Sequence, residues 1–89
     1  MTISQITARL TQIWQAKLKE KKLVKSGHLL ASIKFIDAGT SIQMQAEDYY
    51  QYLDTKYSIS KEIIATQEFK DLIAQYQSIK IEAELKKPI

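Results

Sequence analysis

A switch in hydrophobic period restricts the fold of this chain more than any other feature. Ile3, Ile6, Leu10, Ile13, Trp14 and Leu18 recur every three or four positions, which predicts one buried stripe on a helix over 2–22. Farther along, the spacing becomes two. Ser32-Ile33-Lys34-Phe35-Ile36-Asp37 reads as a strand and Ala38-Gly39-Thr40 as a turn. Residues 41–46 then alternate, with Ile42, Met44 and Ala46 on one face and Ser41, Gln43 and Gln45 on the other. Two alternating runs about a glycine-containing connection predict a β-hairpin. The expected class is therefore α+β. At 89 residues, the chain is read as a single domain spanning 1–89.

The remaining segments follow local signals. Thr2 and Ser4 are both candidate caps for the first helix, and Lys17, Lys19, Lys21 and Lys22 gather at its end, where cations suit the helix dipole. Lys25-Ser26-Gly27 punctuates the chain. Gly27 is expected in a backbone conformation that other residues resist, and Ser26 is expected to cap a short helical turn through Leu29 and Leu30. Residues 47–54 read as a short helix opened by Glu47 or Asp48, with Tyr49, Tyr52 and Leu53 on one face and Tyr50 pointing elsewhere. Residues 55–65 read as a loop tacked to the core by Ile59, Ile63 and Ile64. Thr66 is expected to cap a second long helix with a stripe of Phe69, Leu72, Ile73 and Tyr76. Residues 79–86 alternate as a strand would, but helix-forming residues continue there without glycine or proline. The reading taken is a continuing helix, with a final strand at 78–86 as its alternative.

Composition narrows the function classes. The chain has no cysteine, which excludes a disulfide scaffold and a cysteine-ligated zinc site. No apolar run approaches the roughly 20 residues of a membrane span, and Met1-Thr2-Ile3-Ser4-Gln5 lacks the start of a signal peptide. The expectation is a cytoplasmic product without a cleaved leader and without membrane contact. A net charge of +3 permits contact with nucleic acid but does not demand it.

No catalytic constellation is visible, so neither enzymatic activity nor a cofactor or metal is expected. His28 is the only histidine and reads as a solvated turn residue. Glu47, Asp48 and Asp54 read as helix-terminal residues rather than as an acid–base pair. Lys19, Lys21, Lys22 and Lys25 lie in the most basic run and are the candidates for a non-specific nucleic-acid contact. Four of the five tyrosines fall at 49, 50, 52 and 57. Tyrosine offers large contact area with a polar tip, so Tyr49 and Tyr52 are expected inward, and Tyr50 and Tyr57 outward toward a partner.

The order of motifs resembles one family. Ser26-Gly27-x-Leu29-x-x-Ser32-Ile33 resembles the signature of the small tail-completion, or head–tail connector, proteins of long-tailed bacteriophages. In that family a long helix precedes the signature and a hairpin follows it. The next family segment is resembled by Tyr49, Tyr52, Leu53 and Asp54, and the opening of its closing helix by Ala65-Thr66-Gln67-Glu68-Phe69. Lys56 stands where the family usually has glycine, and Glu68-Phe69 replaces a proline–phenylalanine pair. The resemblance implies a structural virion protein, made in the host bacterial cytoplasm and located at the head–tail junction. It would form a homo-oligomeric ring through which DNA passes, between the portal-connector assembly and the tail-tube protein. Ring contacts would then involve Ile33, Phe35, Ile42 and Met44 of the hairpin on one face, and Tyr50 and Tyr57 on the other. The alternative is a small basic nucleic-acid-binding or regulatory α+β module.

Overall fold

The computed structural model describes residues 1–23, 27–39 and 41–85. The order of elements is α1 (Ile3–Glu20), α2 (Gly27–Ser32), β1 (Lys34–Asp37), β2 (Ile42–Gln45), α3 (Asp48–Tyr57), α4 (Ile59–Ile64) and α5 (Gln67–Leu85). The fold is α+β, as the switch in period predicts.

α1 starts on a capping box. The Gln5 backbone N–H donates to Thr2 Oγ1 at 3.1 Å, and the Thr2 N–H donates to Gln5 Oε1 at 2.8 Å. Its stripe is the spine of the core, with Ile6, Leu10, Trp14 and Leu18 buried and Ile3 and Ile13 packed at the margin. Trp14 is the hub. Its ring lies 4.9 Å from Phe35 of the hairpin and 5.9 Å from Phe69 of α5, centroid to centroid. Its indole N–H donates to Tyr50 Oη of α3 at 2.6 Å. The Tyr50 and Ser60 hydroxyls, 2.9 Å apart, share a further hydrogen bond that extends the network to α4.

β1 and β2 pair antiparallel, with Phe35 opposite Met44 and Asp37 opposite Ile42. These pairs share the inner face, and Phe35, Met44 and Ile42 pack against the core. In the turn Gly39 has φ +100°, a region in which a side chain is strained, and its N–H donates to Asp37 Oδ1 at 3.0 Å.

Several expectations need correction. Ser32 ends α2 rather than opening the strand, because its hydroxyl donates to the Leu29 carbonyl at 2.7 Å. Gly27 is an ordinary helical residue with open space around it, not a backbone special. The expected Ser26 cap lies outside the described residues. Most of residues 55–65 are helical: α3 runs to Tyr57, Ser58 breaks it with φ 54°, and α4 follows at once. The reasons are local. Ile59 and Ile63, four apart, bury on the same side, while Asp54 Oδ1 accepts the Ser60 N–H at 2.7 Å and so satisfies a donor of the new helix. Ile64 is exposed. The alternating stretch after Ile79 continues α5 through Leu85, with no strand there among the described residues.

Candidate functional site

The structure redistributes the tyrosines. Tyr50 is 1% exposed, and Tyr49 and Tyr52 are 41% and 57% exposed, the reverse of the sequence expectation. The choice follows from Trp14. An indole N–H in a core needs an acceptor, and Tyr50 Oη supplies it, so the helix turns Tyr50 and Leu53 inward. Burial raises the pKa of Tyr50, and it is a neutral core residue.

The hairpin residues expected at a subunit contact turn toward the core in the monomer. Ile33 is 2% exposed, and Phe35, Ile42 and Met44 lie on the face turned to the core, so α1 and its neighbours take up that apolar face. Tyr57, at 39% exposed, keeps its expected outward position. The signature residues act as joints. Leu29, Ile33 and Leu53 are core, Ser32 Oγ accepts the Glu47 N–H at 3.3 Å to link α2 with the start of α3, and Asp54 ties α3 to α4.

The outward tyrosines form the wall of a groove of about 310 Å³, lined also by Lys22, Leu23, Leu53 and Lys56. The Tyr49 and Tyr52 rings stack with centroids 6.0 Å apart and planes 19° from parallel. Lys56 Nζ sits 5.4 Å from the Tyr57 centroid and 6.0 Å from that of Tyr52. Lys22 enters from the end of α1 through a Schellman turn, in which the Leu23 N–H donates to the Leu18 carbonyl at 3.1 Å and the Lys22 N–H to the Lys19 carbonyl at 3.0 Å. That turn holds Lys22 at φ 58°, a position usually filled by glycine. Sequence reasoning found Lys22 only as part of a basic run, and it missed the union of Lys22 with Lys56 and the tyrosines.

The other candidate lysines are not gathered there. Lys21 pairs with Glu62 at 2.5 Å, which lowers the Glu62 pKa, while Lys19 is exposed on α1. Lys25 lies outside the described residues. His28 is exposed, and no group of three or more metal-ligating side chains occurs among the described residues. No described helix is long and apolar enough to cross a membrane.

A second polar cluster, unmarked in the sequence, fastens the hairpin to α5. Asp37 Oδ1 accepts from the Tyr76 hydroxyl at 2.7 Å, and Asp37 Oδ2 accepts from Lys80 Nζ at 2.7 Å. The Lys80 and Tyr76 hydrogen bonds, with that of the Gly39 N–H, lower the Asp37 pKa to about 2. Burial and the neighbouring Asp37 push Tyr76 up to about 12. The cluster has the geometry of a structural tie.

No family model, curated protein or solved structure matches this chain.

Proposed function

We propose that this chain is a neck subunit of a tailed phage, a tail-completion protein that joins the head connector to the tail as one copy in an oligomeric ring. The observation that carries the reading is the order of motifs: a long helix, the Ser26–Ile33 signature, a hairpin, the Tyr49–Asp54 segment and a closing helix. The joint-like roles of Leu29, Ser32, Ile33, Leu53 and Asp54 support it by giving those motifs a physical reason to recur together. The role is structural and involves no catalysis. A small core with exposed tyrosines gains stability from neighbours, and the partners are further copies of this chain, the portal-connector assembly, the tail-tube protein and the DNA that passes through.

The test is location. Peptide mass spectrometry of density-purified particles from the source, followed by gold-labelled antibody in the microscope, is expected to place the protein at the head–tail junction. Its absence from otherwise complete particles would overturn the reading.

A nucleic-acid-binding module is the second reading, favoured by the stacked Tyr49 and Tyr52 rings beside Lys22 and Lys56. Filter binding across a salt series separates the two. Affinity for single-stranded oligonucleotide that falls with salt and with Lys22→Glu supports the second reading, and no binding at low salt removes it.

A further inference from the structure

Among the described residues, two complementary surfaces lie uncovered. One is the groove, aromatic along its wall and flanked by Lys22 and Lys56. The other is the end of α5. Ile81 and Leu85, four residues apart and hence on one side of the helix, are 60% and 79% exposed. At about 100° per residue, Glu82 and Glu84 stand on either side of that pair, and both are exposed. Leu72 and Tyr76 bury the middle of α5, but residues 81–85 are all exposed. The molecule is 51 Å long and only 23 by 20 Å across.

We infer that the α5 end of one copy seats in the tyrosine–lysine groove of the next, with Ile81 and Leu85 against the tyrosine rings and Glu82 and Glu84 beside Lys22 and Lys56. Charge complementarity selects the occupant: an apolar pair flanked by acids matches an aromatic groove flanked by bases. None of these four charged side chains makes an ion pair among the described residues. The left-handed conformation of Lys22 adds weight, since strained backbone concentrates where a side chain is needed for a task.

The contact joins two different faces, so it is head-to-tail and generates a ring or an open filament. This inference deepens the neck-subunit reading, on which it rests only for closure into a ring. One short helical segment in one groove buries less than the roughly 1,200 Å² of a stable interface, so each contact is weak alone and gains from repetition.

Charge reversal in the full chain provides the test, read by sedimentation velocity in low salt across a range of protein concentrations. Lys86 and Lys87 follow outside the described residues, so the glutamates themselves are reversed. The wild type is expected to associate as concentration rises. Glu82→Lys with Glu84→Lys, or Lys22→Glu with Lys56→Glu, is expected to weaken association about tenfold or more, because each variant sets like charges against each other. An equimolar mixture of the two variants is expected to restore it, since the basic tail of one meets the acidic groove of the other and the reverse pairing also holds. All four positions are exposed, and circular dichroism checks that both variants remain folded. A wild type that stays monomeric throughout, association unchanged in both variants, or a mixture no better than its parts would overturn the inference. The two proposals fail separately. Association without a place in the particle removes the neck role alone, and particles that assemble normally with both variants remove this contact alone.

Discussion

At the scale of single residues, Trp14, Tyr50 and Asp37 carry the sharpest consequences. Tyr50→Ala is expected to unfold the chain, because it empties a fully buried aromatic site at a cost of about 3–5 kcal/mol. Tyr50→Phe keeps the volume but takes the acceptor from the Trp14 indole, leaving Ser60 Oγ at 3.4 Å, and is expected to cost about 1–2 kcal/mol in urea denaturation. Asp37 has a folded pKa of about 2, below its ordinary 3.8, so its contribution is complete above pH 4 and is lost as pH falls through that interval. Tyr76 has a folded pKa of about 12, above its ordinary 10, so its contribution is lost as pH rises from 10 toward 12. Thermal melts of Asp37→Asn are expected to show a shallower acid limb than the wild type between pH 4 and 2.

Glycine and its substitutes decide the element scale. Gly39 at φ +100° makes the hairpin turn, and Gly39→Ala is expected to cost about 1–2 kcal/mol. Gly27 begins α2 with open space around it, and Gly27→Ala is expected to be neutral or to stabilise by up to about 1 kcal/mol. Lys22 is the converse case, a side chain in a glycine position. Lys22→Gly is expected to raise stability by about 1 kcal/mol, a few degrees in melting temperature, while weakening self-association through the lost charge. A calorimetric scan beside sedimentation data reads both effects.

Over the whole molecule, the Cα radius of gyration is 14.6 Å, against about 12 Å for a compact chain of this length. The exposed end of α5 adds length without burial. Small-angle scattering at high dilution is expected to show this elongated monomer, with the radius rising as copies join. Leu85→Lys is expected to leave the unfolding free energy of the dilute monomer within about 0.5 kcal/mol of wild type and to suppress that rise, because an exposed leucine contributes to contacts between copies and little to the fold.

Local pattern was enough for the class and for most boundaries. The stripe from Ile3 to Leu18, a cap at Thr2 or Ser4, the alternation about Gly39 and the stripe from Phe69 to Tyr76 are short-range signals, set by helical and strand periods and by the chemistry of caps and turns. The faces of Tyr49, Tyr50 and Tyr52 and the direction of the hairpin's apolar side were not legible, because each depends on a partner distant in the chain. The helix at 59–64 was missed because its signal, Ile59 and Ile63 four apart beside the Asp54 carboxylate, is only about a turn long. Tyr50 turns inward to accept from Trp14, thirty-six residues away, and Asp37 finds Tyr76 thirty-nine residues on. The candidate groove was half legible: its tyrosines and Lys22 stand out as runs, yet Lys22 and Lys56 come to line one groove only in the folded chain. Sequence determined the kinds of most elements and their order, because those depend on neighbours along the chain. Tertiary structure alone decided which side chains face water, because burial is shared among elements and the unmet hydrogen-bond donor in the core chooses its acceptor in space.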